Sequence, residues 1–166
     1  MRLFHTLFAT WFGLGLFPKA PGTMGSIGTL PFLWAILILI PDFPSLSLGA
    51  ATINAFLPLA MALFFVAWPS VTFIIQRDHV EDPQKVVVDE VVGQTLTFGF
   101  VAPDVLQSNP WLLLVGLALF RLFDITKPLG IHRLESLPGA WGVLADDTLG
   151  GIYAGILLAI GTTFLL

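Results

Sequence analysis

The sequence has no cysteine among its 166 residues and little charge, with 11% charged and 56% hydrophobic residues. The absence of cysteine excludes disulfide bridges, thiolate nucleophiles and cysteine-ligated zinc. A soluble domain usually carries about 25% charged residues, so this chain is not surrounded by water on every side. Basic residues are also scarce, and the formal net charge of −4 argues against nucleic acid as a partner. The composition is typical of an integral membrane protein, and we expect one domain over residues 1–166.

Five uncharged stretches predict membrane helices, namely residues 20–41, 43–76, 91–103, 105–120 and 148–166. The first opens with the glycine-rich segment PGTMGSIGT, so we expect a loop there and a short spanning helix over residues 27–40. In the second stretch we expect a helix over about residues 50–75. The third and fourth are short for a hydrocarbon core of roughly 30 Å, which needs about 20 helical residues. The predicted fold class is an all-α, polytopic membrane helical bundle of about four spans, preceded by an N-terminal amphipathic helix.

Residues 1–18 combine an early arginine with apolar residues at helical spacing. The apolar positions are Leu3, Phe4, Leu7, Phe8, Trp11 and Phe12. The segment lacks the small-residue cleavage site of a signal peptide, so we expect it to stay in the mature protein. An interfacial or packed amphipathic helix explains the spacing, and a simple membrane anchor is the alternative.

Lysine and arginine are distributed asymmetrically. Alternating spans place residues 1–26, 77–90 and 121–147 on one side of the membrane, and all seven lysine and arginine residues lie there. The connections near residues 41–48 and 103–110, on the other side, carry only Asp42 and Asp104. The positive-inside rule then makes the first side cytoplasmic and the end of the last helix periplasmic. Every charged motif lies on the cytoplasmic side, so these motifs can form one site.

The first charged motif is KAPGTMGS, at residues 19–26. Lys19 offers a positive charge, Thr23 and Ser26 offer hydroxyls, and the segment leads into a helix whose N-terminal amides favour anions. This combination is suited to binding phosphate, although the Walker pattern is missing. The alternative is a turn in which Thr23 or Ser26 caps the helix.

The second motif contains Asp89 and Glu90, which are flanked on both sides by valines. A carboxylate at the centre of a spanning helix costs about 2.5–3.5 kcal/mol, and less near the membrane boundary. Asp89 and Glu90 therefore need an interaction partner, whereas carboxylates in a solvated charged segment would not.

The third motif contains Arg121, Asp124 and Lys127, spaced so that one helical face carries plus, minus and plus. Asp146 and Asp147 follow, directly before the last apolar stretch. They could cap the last helix, but two adjacent aspartates are one more than a cap requires.

The five carboxylates of the second and third motifs could converge on one side of the membrane. Carboxylates about 4 Å apart repel by roughly 4 kcal/mol per pair at an effective dielectric of 20, so such a cluster is protonated, paired or loaded with a cation. Oxygen ligands without cysteine favour Mg²⁺, or Mn²⁺ or Ca²⁺. With the neighbouring basic residues, this predicts metal-assisted phosphoryl chemistry on a lipid headgroup.

Three other readings stay open. A small ion-coupled membrane transporter could use these boundary carboxylates to bind H⁺ or Na⁺. The protein could also be a lipid-phosphate enzyme that acts on another headgroup. In a non-enzymatic scaffold, the charged residues would only form loops and helix caps.

Four segments in this order, KAPGTMGS, DEVVGQ, FRLFDITKPLGI and GAWGVLADDTLGGIYAG, resemble the bacterial phosphatidylglycerophosphatase A family. The resemblance covers nearly the whole chain from Lys19 onwards. It implies a multi-pass enzyme of the bacterial inner membrane with its active site on the cytoplasmic side. It also implies Mg²⁺-dependent hydrolysis of phosphatidylglycerol phosphate to phosphatidylglycerol and inorganic phosphate, in phospholipid biosynthesis.

The resemblance also implies roles for individual residues. The metal ligands would be Asp89, Asp124, Asp146 and Asp147, with Glu90 as a general base or an orienting group. Arg121 and Lys127 would stabilise charge on the phosphoryl group. The substrate phosphate would be bound by Lys19, Thr23, Ser26, Arg121 and Lys127.

Overall fold

The computed structural model describes residues 1–49 and 51–165, which form eight α-helices and one β-hairpin. The helices are α1 (Arg2–Ala9), α2 (Pro21–Leu39), α3 (Phe56–Asp78), α4 (Val88–Thr97), α5 (Pro103–Ser108), α6 (Leu112–Thr126), α7 (Ile131–Glu135) and α8 (Ala140–Leu165). The hairpin pairs β1 (Ser45–Leu48) with β2 (Ala51–Asn54). Single 3₁₀ turns occur at Leu14–Leu16 and Phe98–Phe100.

Three of the described helices are long and apolar enough to cross a membrane: Pro21–Leu39, Phe56–Asp78 and Ala140–Phe164. The all-α, membrane-helical class is therefore confirmed, but the span count is about three rather than four. Helices α4 and α6 have only 10 and 15 residues, or about 15 and 22 Å at 1.5 Å per residue, less than a hydrocarbon core. They are short because the apolar stretches they come from are short.

Helix α2 begins at Pro21, so the prediction of a loop before residue 27 was wrong. Proline is favoured at the first helical position, where it has no amide hydrogen to leave unpaired. The following glycines remain helical because tertiary contacts compensate for their low propensity. A Cβ at Gly25, for example, would lie 2.8 Å from the Cβ of Val87.

Helix α3 begins at Phe56, later than the predicted residue 50, which lies outside the described residues. The segment before it pairs in the hairpin, whose register joins Ser45 to Asn54. The Asn54 side chain donates to the carbonyls of Phe98 and Val101, both at 2.7 Å, and accepts from the Phe56 amide at 2.8 Å. These bonds attach the start of α3 to the turn that follows α4.

The opposite ends of these helices meet at the charged end of the molecule. Because α3 starts beside the end of α4, the end of α3 lies near the start of α4. Helices α2 and α8 start at this same end of the molecule, and α6 ends there. Helix α1 also lies at this end, since the Ala9 carbonyl accepts from the Val87 amide at 2.9 Å and His5 Nδ1 lies 3.0 Å from Ser70 Oγ. Leu3 and Phe4 leave an apolar side of α1 exposed.

Helices α4 and α8 approach closely at a glycine contact. A Cβ at Gly93 would lie 2.6 Å from the Asp147 carbonyl oxygen, and one at Gly151 would collide with the Gly93 carbonyl. Only residues without side chains allow this separation. The contact places the first turns of α4 beside α8, where both helices carry acidic residues.

Candidate active site

A cavity of about 860 Å³ opens at the charged end of the helices. Its wall comes from the starts of α2, α4 and α8, the end of α6, and the segments at residues 81–86 and 135–139. Eight carboxylates and two basic side chains line it, which gives a formal charge of −6 if all are ionised. The acids are Glu81, Asp82, Asp89, Glu90, Asp124, Glu135, Asp146 and Asp147, and the bases are Arg121 and Lys127.

Three of these acids form a compact group. Asp89, Glu90 and Asp147 each offer a carboxylate oxygen, and these oxygens lie within 4.8 Å of one another. Asp89 and Asp147 are 8% and 4% exposed. Within the described chain, Asp89 Oδ1 and Glu90 Oε2 are buried and lack a hydrogen-bond partner. Buried polar atoms are nearly always paired, so this group has the character of a cation site.

Asp146 and Asp147 do not cap the last helix, so the capping alternative was wrong. Helix α8 begins at Ala140, which places both aspartates in its second turn. The buried residues Ala140, Val143 and Leu144 precede Asp147 at helical spacing. That spacing was a sequence signal for an earlier helix start.

Arg121 lies between two of the acids. Its Nη1 is 2.6 Å from Asp124 Oδ2, the ion pair expected at this spacing, and 3.8 Å from Glu90 Oε1. The Arg121 Nε is buried without a hydrogen-bond partner within the described residues. The guanidinium therefore retains a donor that an anion in the cavity could use.

Lys127 forms an ion pair with Asp146 of α8. The three-residue spacing had suggested Asp124, on its own helix, as the partner. Helix α6 ends at Thr126 and Lys127 adopts a left-handed conformation. Its Nζ then lies 2.7 Å from Asp146 Oδ2 and 3.1 Å from Glu135 Oε1. Burial lowers the pKa of Lys127, but these two carboxylates outweigh it and hold that pKa above its ordinary value. The same contact lowers the pKa of Glu135.

The first motif reaches the cavity through its backbone more than through its side chains. The N-cap of α2 is Ala20, so the alternative in which Thr23 or Ser26 caps the helix was wrong. Ser26 is fully buried and donates to the Gly22 carbonyl at 3.0 Å, while Lys19 is exposed. Lys19, Thr23 and Ser26 do not line the cavity, and their substrate-binding role stays a prediction.

Gly22 does line the cavity and lies against the acidic group. A Cβ at Gly22 would collide with Glu90 Oε1 and lie 3.3 Å from Arg121 Nη1. The positive end of the α2 dipole thus lies beside the Glu90 carboxylate. Gly22 was not among the predicted site residues, although the open backbone of the glycine-rich first motif was a sequence signal for it.

Comparison with known proteins identifies the family. The family described as phosphatidylglycerophosphatase A matches residues 7–162. The chain belongs to the phosphatidylglycerophosphatase A family. This confirms the resemblance carried by the four segments, and the protein is accordingly a phosphatase. No solved structure matches the chain.

Three curated relatives cover nearly the whole chain. Phosphatidylglycerophosphatase A of Escherichia coli is 29% identical over 158 residues, which are 93% of this chain and 82% of that protein. Phosphatidylglycerophosphatase A of Haemophilus influenzae is 35% identical over 155 residues, 92% of this chain and 85% of that protein. A Bacteroides thetaiotaomicron protein, provisionally named a phosphatidylinositol-3-phosphatase, is 36% identical over 154 residues, 93% of this chain and 91% of that protein.

Membership of a phosphatase family disfavours the transporter and scaffold readings. A transporter would need acids at mid-membrane depth, whereas these acids lie around one cavity, within the first two turns of α4 and α8 or near the end of α6.

Proposed function

We propose that the protein hydrolyses phosphatidylglycerol phosphate to phosphatidylglycerol and inorganic phosphate, as a Mg²⁺-dependent step of phospholipid biosynthesis. One observation carries the proposal. The buried group Asp89, Glu90 and Asp147 has unpartnered oxygens beside Arg121, which has an unpartnered donor, in the same cavity. A cation and a phosphate are the ligands that together satisfy both.

Charge favours a cation in the cavity. A phosphomonoester carries about −1.5 to −2 charges near neutral pH, and it would enter a cavity whose formal charge is −6 if all its side chains are ionised. The oxygen-only donor set fits Mg²⁺, and Asp89, Glu90 and Asp147 would hold it. When bound, Mg²⁺ supplies positive charge at the phosphate oxygens and lowers the pKa of a coordinated water.

The remaining charged residues divide into a phosphate ligand and its supports. Arg121 binds the phosphate oxygens, and Asp124 holds its guanidinium in place at 2.6 Å. Lys127 neutralises charge beside α8, where Asp146 fixes its position. The sequence-based prediction made Asp124 and Asp146 metal ligands and made Glu90 a general base or an orienting group. Their contacts support ion pairing for Asp124 and Asp146, and metal binding for Glu90.

The proposed reaction is a displacement at phosphorus. The oxygen of a water molecule forms a bond to phosphorus, and the phosphorus–oxygen bond to the lipid glycerol breaks. One proton of the water passes to the lipid alcohol as it leaves, and the water oxygen and its other proton remain in the phosphate. Arg121 stabilises the charge that develops on the equatorial oxygens.

We also propose that the site faces the cytoplasm from the bacterial inner membrane. The support is the position of all seven lysine and arginine residues at the cavity end of the chain. A periplasm-dependent phosphatase reporter fused after Leu166, which lies outside the described residues, should be active, and one fused after Lys85 inactive. The opposite pattern would reverse the orientation.

Phosphate release from a lipid panel tests the proposed activity. Purified protein is given phosphatidylglycerol phosphate, phosphatidic acid and phosphatidylinositol 3-phosphate, each with Mg²⁺ and with EDTA. We expect phosphatidylglycerol phosphate to be hydrolysed fastest and EDTA to abolish turnover. Preference for phosphatidylinositol 3-phosphate, as the name of the Bacteroides relative would suggest, would reassign the substrate. Full turnover in EDTA would refute the metal.

Arg121→Lys is the matched variant for the phosphate ligand. It keeps the positive charge but loses the fork that reaches two oxygens at once. Turnover should fall by about 10-fold or more at unchanged stability, because an interaction with the transition state is lost.

A further inference from the structure

Gln94 is the most unusual buried polar residue outside the acidic group. Its side chain is fully buried in α4, and within the described chain neither its amide nitrogen nor its amide oxygen has a hydrogen-bond partner. Other buried polar side chains nearby are satisfied by their own helices. Thr95 donates to the Val91 carbonyl at 2.7 Å and Thr97 to the Gly93 carbonyl at 3.0 Å. Gln94 has no such backbone partner among the described residues, so it needs a side chain or a bound water as its hydrogen-bond partner.

The helix places Gln94 directly behind the acidic group. It follows Glu90 by one turn, and residues four apart on a helix have Cβ atoms about 5–6 Å from each other. Side chains in an α-helix lean toward its N-terminus, so the Gln94 amide extends over the turn that carries Glu90. Glu90 Oε2 is itself buried and unpartnered, as is Arg121 Nε.

We propose that Gln94 is a positioning residue of the cation site: its buried amide donates to one bound water that in turn donates to Glu90, and this bridge holds the carboxylate toward Asp89 and Asp147. The inference rests on the proposed function, since it assumes that the three acids bind a divalent cation. A water at this position would have the two to four polar partners that a buried water requires.

A glutamine suits this place better than a basic residue. Its amide donates a hydrogen bond without adding positive charge, so Glu90 keeps its charge for the cation. A second basic residue beside Glu90, in addition to Arg121 at 3.8 Å, would compete with the metal for the carboxylate. Hydrogen-bonded supports of metal ligands commonly set the affinity of the site.

The test compares Gln94→Met with wild-type protein and with Thr95→Val. Methionine keeps the length and the helix propensity of glutamine but cannot donate. Thr95→Val removes a buried polar group of the same helix that has its own partner. Mn²⁺ affinity is measured by electron paramagnetic resonance in detergent, together with thermal unfolding and the KM and kcat for phosphatidylglycerol phosphate.

We expect Gln94→Met to bind Mn²⁺ about 10-fold or more weakly, as is typical when a supporting residue is lost. Its unfolding temperature in EDTA should fall by only a few degrees, because one buried hydrogen-bonded bridge to Glu90 is lost. Its kcat should fall at subsaturating metal and recover at high metal. Thr95→Val should bind Mn²⁺ as wild type does.

Wild-type Mn²⁺ affinity in Gln94→Met would overturn the inference and leave Gln94 as a packing residue. If Gln94→Met does not fold, Gln94→Asn decides, because it keeps the amide but withdraws it by one methylene and should also weaken Mn²⁺ binding. Wild-type affinity in Gln94→Asn would likewise overturn the inference. Failure of wild-type protein to bind Mn²⁺ would instead refute the proposed cation site on which the inference rests.

Discussion

Replacing Asp147 by asparagine separates a cation site from a merely structural cluster, because the two predict opposite changes in stability. The carboxylate oxygens of Asp147, Asp89 and Glu90 lie within 4.8 Å of one another. At an effective dielectric of 20, two unit charges at that distance repel by roughly 3.5 kcal/mol. Asp147→Asn removes two such pairs, or up to about 7 kcal/mol, an upper bound because proton uptake relieves part of the repulsion.

In EDTA we therefore expect Asp147→Asn to be more stable than wild type. The free energy of unfolding should rise by at least about 1 kcal/mol, equivalent to about 2–4 °C for a chain of this size. In Mg²⁺ the order should reverse. A site occupied at 100 times its Kd stabilises the fold by about 2.7 kcal/mol, and the variant should lose most of this gain.

The assay is thermal unfolding in detergent across a Mg²⁺ titration, with phosphate release measured on the same samples. Turnover of Asp147→Asn should fall by about 100-fold or more, since even indirect supports of a metal cost 10–100-fold. Asp146→Asn is the matched control. It removes the more buried of the two carboxylate partners of Lys127, so it should lose about 1–3 kcal/mol in EDTA and in Mg²⁺ alike. Lower stability of Asp147→Asn in EDTA, with wild-type turnover and an intact response to Mg²⁺, would refute the cation site.

Two further predictions concern the walls of the cavity. Gly22→Ala should lower turnover by about 10-fold or more while the protein stays folded, because the added methyl group would displace the Glu90 carboxylate. Gly161→Ala is the control, since its methyl group meets open space, and it should leave turnover unchanged. Equal turnover in the two variants would contradict the prediction. Glu135→Gln should lower the free energy of unfolding by less than about 1 kcal/mol, because the Glu135 side chain is 41% exposed. Lys127 lowers the pKa of Glu135 below its ordinary 4.5, so this stabilisation is present above pH 4.5 and is lost as the pH falls through the lower folded value. Unfolding temperatures of wild type and Glu135→Gln should therefore differ near neutral pH and converge in acid, and a difference that grows on acidification would contradict the ion pair.

Composition and the order of charges were enough to predict the class of protein and the end that carries the site. Apolar length and the position of a charge along the chain are properties of the linear sequence, and they decide which segments can leave water. The same information identified Asp89, Glu90, Arg121 and Asp124 as residues that need partners. The Arg121–Asp124 ion pair was predictable because both residues lie on one helix, three positions apart.

Helix starts were predicted less well, because neighbours in the fold override local propensity. The glycines after Pro21 favour a loop in isolation, and tertiary contacts such as that of Gly25 with Val87 offset this preference. The start of α8 at Ala140 moved Asp146 and Asp147 from a cap into the helix interior. The β-hairpin depends on bonds from Asn54 to the carbonyls of Phe98 and Val101, which are more than 40 positions away.

The sequence by itself thus determined a membrane phosphatase with acids and bases collected at one end of its helices. Only the tertiary structure decided which acid meets which partner. Lys127 turns away from its own helix to reach Asp146, and Asp147 joins Asp89 and Glu90 because α4 and α8 touch at Gly93 and Gly151. These choices depend on distances between helices that are remote in sequence. Such distances are set by close packing of the whole bundle, which no local pattern records.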